Sequence, residues 1–142
     1  DVRRAGPGDL EALLPLVRGY CEADDHVYDE ASVRRAMAPL LEDDSLGQVW
    51  LLGDGEPSGY AVVTWGHSIE SGGREALLDE FYVRDGGKGV GGEAMPALLE
   101  AARAAGAVRM FLETETANER ARTFYARHGF AVEDSVWMSI DL

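Results

Sequence analysis

Residues 81–92 constrain the fold of this chain more than any other stretch. Phe81-Tyr82-Val83 closes an apolar run of strand length, and Arg84-Asp85 leads into Gly86-Gly87-Lys88-Gly89-Val90-Gly91-Gly92. An Ala- and Leu-rich stretch of helical character then runs to about Gly106. Strand, glycine loop and helix in that order point to an α/β sheet. Glycine has no Cβ, so the backbone turns tightly and approaches a ligand closely. The first amides of a helix lack internal partners, and with the helix dipole they form an anion site suited to a pyrophosphate. A glycine-rich turn that holds no ligand is the competing reading. Gly87-x-Gly89-x-x-Gly92 also fits the dinucleotide fingerprint. That fingerprint, however, follows the first strand of a βαβ unit and precedes an acidic residue about 20 residues on. Here about half of the chain and about four strand-like runs come first, which disfavours a dinucleotide enzyme. No Gly-Lys-Ser/Thr closes the loop, so the P-loop pattern fails.

The rest of the chain alternates in a compatible way. Val2–Ala5 reads as a short strand, followed by turn chemistry at Gly6–Asp9. Asp9–Tyr20 and Ala31–Glu42 carry apolar residues at helical spacing, with Pro15 expected to bend or shorten the first and Pro39 to weaken the last turn of the second. Gln48–Gly53 and Ser58–His67 are strands joined by the hairpin cue Asp54-Gly55-Glu56-Pro57. Ala76–Val83 follows after the turn at Ser71-Gly72-Gly73. Beyond the glycine loop and its helix come a strand over Val108–Thr114, a helix over Asn118–His128 and a final strand over Val136–Leu142. The middle strands are antiparallel because their connections are short, and the crossover through Gly86–Thr114 makes one parallel pair. The expected architecture is a single-domain, mixed α/β fold with a mostly antiparallel sheet and helices on both faces.

A length of 142 residues fits one domain over 1–142. Its 13 Lys and Arg against 26 Asp and Glu give a formal net charge of −13. Such a surface repels phosphate backbones, so nucleic acid is not an expected partner, and it attracts cationic small molecules. No run approaches the ~20 apolar residues that span a bilayer, so no membrane role is expected. No charged-then-apolar leader stands at the start, and with the single Cys21 the expected compartment is cytoplasmic. Cys21 reads as a small half-buried side chain.

A second segment narrows the function. Leu112-Glu113-Thr114 is followed by Asn118, then Ala121, Phe124 and Tyr125 at helical spacing, then Gly129 and Phe130. Alone, it reads as a packed helix with a core tyrosine, ended by Gly129. Joined to the glycine loop, the pattern Asn, Ala-x-x-Phe-Tyr-x-x-x-Gly-Phe resembles the GNAT superfamily of acyl-CoA N-acyltransferases over nearly the whole chain.

The resemblance implies that the fourth and fifth strands splay and that acetyl-CoA, as acyl donor, lies between them. Backbone groups of Phe81, Tyr82 and Val83 would meet the pantetheine arm and the thioester oxygen. Amides from Gly87, Lys88, Gly89, Val90, Gly91 and Gly92 would hold the pyrophosphate, and Asn118 would bond the arm from the other side. Tyr125 would give a proton to the departing sulfur, since thiol and tyrosine pKa values of ~8.5 and ~10 are close. An amine acceptor of pKa ~10.4 lies about 6 units above a carboxylate, a transfer uphill by roughly 8 kcal/mol. A carboxylate base therefore needs a raised pKa or a water chain. Glu80 is the first candidate, with Asp79, Glu113 and Glu115 as rivals. Alternation places Glu80 on the face opposite Phe81 and Val83, unless a bulge re-aims it. Asp24, Asp25 and His26 fall in the loop that often shapes the acceptor pocket, as Glu113 would, and they are too few and too close for a metal site. Trp65 and His67 are core or surface residues with an outside claim on that pocket, while Trp50 and Trp137 read as core. Family members are often homodimers. Two departures stand out: Gly86 occupies a position that usually carries Arg or Gln, and Arg84-Asp85 is two residues shorter than usual. They leave a non-catalytic acyl-CoA-binding or regulatory module as the alternative to an enzyme.

Overall fold

The computed structural model describes residues 1–86 and 88–142. Five strands form one sheet in sequence order. Strands β1 (Val2–Arg4), β2 (Gly47–Leu52), β3 (Gly59–Ser68) and β4 (Gly73–Val83) run antiparallel to their neighbours, and β5 (Arg109–Phe111) runs parallel to β4. The helices are α1 (Leu10–Ala23), α2 (Glu30–Glu42), α3 (Val90–Ala104) and α4 (Glu119–Arg127). This is the mixed, mostly antiparallel sheet expected from the sequence.

Side-chain alternation divides the core into two layers. Tyr60 and Val62 of β3 face α1 and α2, where Leu13, Leu16, Val17, Met37 and Leu41 cover them. Ala61 and Val63 face the other way, toward Met95, Leu98 and Ala102 of α3, with Phe124 and Tyr125 of α4 packed alongside. A one-turn 3-10 helix, Pro7–Asp9, leads into α1. Pro15 does not shorten α1, which continues to Ala23, and α2 likewise passes Pro39 to reach Glu42. Burial of one apolar stripe on each helix outweighs the single backbone bond that each proline deletes. Asp29 caps α2 by accepting from the Ser32 amide at 3.2 Å.

Three expectations need correction. Residues 136–142 form no strand: Val136, Trp137, Met138, Ile140 and Leu142 are all exposed. Trp137 is 68 % exposed and is therefore not a core residue. The strand expected over Val108–Thr114 is confined to Arg109–Phe111, which pairs only with Glu75–Leu77. An alternating apolar pattern becomes a strand only where a neighbour's edge supplies its ladder, and three residues of β5 supply too little edge.

Candidate active site

The site begins where β4 and β5 part. After Leu77 opposite Phe111 the parallel ladder stops, while β4 runs on to Val83 beside β3. The Arg84 amide donates to the Ser58 carbonyl at 2.7 Å, so Arg84 presents its backbone to the β3 side. Alternation along an antiparallel strand then turns the backbone groups of Val83 and Phe81 away from β3, into the gap. Among the described residues no strand pairs with them there.

Within this stretch β4 carries a bulge. Val62 pairs with Glu80 but Val63 pairs with Leu78, leaving Asp79 as the extra residue. Leu78 belongs to the α3 layer, and Phe81 packs there too, stacked on Phe124 at 5.8 Å. Glu80 turns to the α1 layer instead, where the Tyr60 hydroxyl donates to its Oε1 at 2.7 Å. Tyr82 shares that face and lies within 6.1 Å of Tyr20 and 6.2 Å of Tyr60, centroid to centroid. Gly19 makes room for it: a Cβ there would stand 2.8 Å from the Tyr82 hydroxyl oxygen.

A cavity of about 540 Å³ opens through the gap to both faces of the sheet. Glu80, Asp79, Tyr20, Asp24 and His26 line it on the α1 side. Phe81, Asn118, Ala121 and Tyr125 line it on the α4 side, with Glu113 and Glu115 along the β5 continuation. A larger groove of about 1060 Å³ lies between β5, α4 and the C-terminal segment and shares Glu113, Tyr125 and Trp137. It contains neither Glu80 nor Asn118, so the smaller cavity is the candidate site.

Of the residues singled out from sequence, Glu80, Phe81, Asp24, His26, Glu113, Asn118 and Tyr125 therefore meet in one cavity. Asp25 does not line it; it adopts the left-handed conformation at φ 55° in the turn after α1. Asp24 and His26 are 3.3 Å apart. Trp65 is held elsewhere, its indole N–H donating to the Asp44 carbonyl at 2.7 Å with Arg74 over its ring. Tyr60, which sequence reasoning left inside an apolar strand, is the residue that it missed. The bulge that brings its hydroxyl to Glu80 leaves no mark on apolar periodicity.

The glycine loop opens α3. Gly89 is the N-cap, at φ 82° and without a side-chain cap, a conformation that costs glycine little. The first helical bond runs from the Glu93 amide to the Gly89 carbonyl at 3.0 Å, so the amides of Val90, Gly91 and Gly92 have no intrahelical acceptor. Among the described residues, nothing beyond the adjoining backbone lies within 4 Å of a Cβ placed at Gly86, Gly89 or Gly92. Lys88 and Arg84 are exposed beside them. The expectation for Gly87 lies outside the described residues. Asn118 caps α4 by accepting from the Ala121 amide at 3.0 Å, which leaves its amide NH₂ free to donate.

The electrostatics follow from burial. Burial raises the Glu80 carboxyl, the hydrogen bond from Tyr60 pulls it down, and the charge of Asp79 raises it further. Burial alone raises Asp79 and Tyr125. Tyr20 is pushed up to about 12, chiefly by burial, and burial raises the half-buried Cys21 thiol. Tyr60 rises far beyond the ordinary tyrosine range, through burial first and then the charge of Glu80. No group of three or more His, Cys, Asp or Glu side chains suited to a metal ion occurs among the described residues. No helix among them is long and apolar enough to cross a membrane.

Solved structures share this fold. An integron cassette protein, HFX_CASS3, from the mobile metagenome of Cole Harbour Salt Marsh is 30% identical, with a TM-score of 0.88 over 99% of this chain and 90% of its own. A protein described as "a probable acetyltransferase" is 26% identical, with a TM-score of 0.82 over 100% and 96%. The ribosomal-protein-alanine N-acetyltransferase of Brucella melitensis biovar Abortus 2308, 20% identical, shares the fold with a TM-score of 0.77 over 99% of each chain. No curated protein matches the chain. Residues 11–130 match the model of the acetyltransferase (GNAT) family, a span holding both the glycine loop and the parted strands, and the chain belongs to that family.

Proposed function

We propose that this chain is an N-acetyltransferase that moves an acetyl group from acetyl-CoA to a primary amine, by direct attack with both substrates bound. The observation that carries the reading is the parting of β4 from β5 after Leu77, which opens one cavity to Glu80, Asn118 and Tyr125. The residues present fit the donor. Among the described residues no strand pairs with the gap-facing backbone groups of Phe81 and Val83, which suit an amide-bearing arm, and the amides of Val90, Gly91 and Gly92, without acceptors inside the helix, suit phosphate oxygens. Arg84 and Lys88 add positive charge at the loop. The free NH₂ of Asn118 suits a carbonyl of the same arm. When bound, acetyl-CoA supplies an activated thioester.

The remaining steps belong to the protein. Glu80 takes the proton of the acceptor ammonium, directly or through water, and its raised pKa narrows the gap of about 6 units to the amine. The freed amine forms the C–N bond, and a backbone N–H of the Phe81–Val83 stretch takes up charge on the carbonyl oxygen. As the C–S bond breaks, the Tyr125 hydroxyl protonates the sulfur, and the second proton that the nitrogen sheds on becoming an amide passes through water to the Tyr125 oxygen. Burial keeps Tyr125 protonated at neutral pH, so the proton is in place, at the expense of a wider mismatch with the thiol. Asp24, His26 and Glu113 line the acceptor side, where the two carboxyl groups favour a cationic substrate. The short Arg84-Asp85 approach and Gly86 favour a second reading, a module that binds acyl-CoA without turning it over.

Calorimetry with acetyl-CoA, CoA and NADH, followed by a screen of small amines, peptides and lysine, tests this. Micromolar acetyl-CoA binding, no NADH binding and transfer to an amine are expected. Binding without transfer to any acceptor would leave the non-catalytic module, and no binding at all would reject both readings.

A further inference from the structure

Tyr60 has no exposed surface, and its ring lies edge-on to Tyr20 at 6.4 Å. A phenylalanine would fill the same ring volume, so packing does not account for the hydroxyl. That hydroxyl donates to Glu80 Oε1 at 2.7 Å. The contact depends on the bulge at Asp79, which takes Glu80 off the face of Leu78 and places it in the row of Tyr60. Glu80 also lines the candidate cavity, whereas Tyr60 does not.

We infer that Tyr60 is a positioning residue for acetyl transfer: its hydroxyl anchors one carboxylate oxygen of Glu80 and leaves the other for the acceptor amine. This rests on the reading of Glu80 as the acceptor-side base. A free Glu side chain samples many rotamers, and a hydrogen bond to one oxygen fixes the direction of the other. The neighbours of Glu80 explain why an anchor matters. Asp79 on β4 and Asp24 at the end of α1 bring carboxyl groups to this side of the gap, Tyr20 and Cys21 on α1 carry their protons, and the His26 imidazole stands in the following loop. Burial and Asp79 favour the protonated carboxyl, and Tyr60 opposes them by bonding the ionised form. Tyr60 does not lose its own proton at any working pH, so it always donates.

The test is a ¹³C NMR titration of the Glu80 carboxyl, assigned by its loss in Glu80→Gln. Tyr60→Phe should raise the midpoint by about one pH unit, while Tyr82→Phe, which removes a different hydroxyl from the same face, should leave it in place. In the unsubstituted protein the Tyr60 Cζ resonance should titrate with the Glu80 midpoint, a check that needs no variant. With the acceptor from the amine screen, the acidic limb of kcat/KM in Tyr60→Phe should move up with the midpoint, and KM for acetyl-CoA should not change. An unmoved midpoint, or a moved midpoint with an unmoved limb, overturns the inference about Tyr60. Full activity of Glu80→Gln overturns the assignment of Glu80 itself, and the inference falls with it.

Discussion

Two side chains on opposite sides of the gap divide the proposed chemistry, and each lends itself to a separate measurement. Tyr125 touches Phe81, Phe124 and Phe130 through its ring, so Tyr125→Phe preserves the packing and removes only the proton donor. We expect kcat to fall about 100-fold, with acetyl-CoA affinity unchanged by calorimetry. Glu80 gives a stability prediction. Its folded pKa is raised above the ordinary 4.5, so the stabilisation it contributes is complete below that value and is lost as pH rises through the folded pKa. Glu80→Gln escapes this loss and can still accept from Tyr60. Its melting temperature should exceed the parent's by about 3 °C at pH ~8, and the difference should vanish toward pH ~4. Asp79 is shifted in the same direction but is present in both proteins, so it cancels.

At the level of elements, substitution can separate the observed cap of Asn118 from its proposed contact with the donor. Its oxygen caps α4, the helix that carries Tyr125, and its NH₂ points to a role toward the donor. Asn118→Ala should cost about 1 kcal/mol in urea unfolding through loss of the cap. Asn118→Asp keeps an accepting oxygen, so stability should hold while acetyl-CoA affinity drops, which calorimetry would read directly. Much of this was legible beforehand. The glycine loop, the hairpin strands and the Gly129 helix end at φ 97° follow local chemistry, and local chemistry is what a sequence displays. β4 begins at Gly73, ahead of the expected Ala76, because pairing with β3 recruits the polar Arg74 and Glu75. The bulge was invisible because Leu77-Leu78-Asp79-Glu80-Phe81 shows no alternation to interrupt. The Tyr60–Glu80 contact, set by that bulge across two strands, was invisible with it. Residues 136–142 have the pattern of a strand, but a pattern does not supply a partner edge.

For the whole molecule, the net charge of −13 would act on the two proposed substrates in opposite senses. Acetyl-CoA carries phosphates and would approach a repelling surface, whereas a cationic amine would be drawn to a cavity edged by Asp24, Asp79, Glu113 and Glu115. Raising salt from about 20 to about 200 mM shortens the range of both forces. Steady-state kinetics should then show KM for acetyl-CoA falling and KM for the amine rising. The sheet is also a partition between two helix layers, and Asp79 is a half-period slip in one of its strands. Below the slip β4 sends its even-numbered residues Ala76 and Leu78 to one layer, and above it Glu80 and Tyr82 go to the other. The strand therefore counts in parity. Asp79 is the one residue outside that count: without it Val62 and Val63 would still stand opposite Glu80 and Leu78, and Glu80 and Phe81 would keep their layers. A change of length at this point is absorbed by the bulge itself, and the rows on either side of it hold their layers.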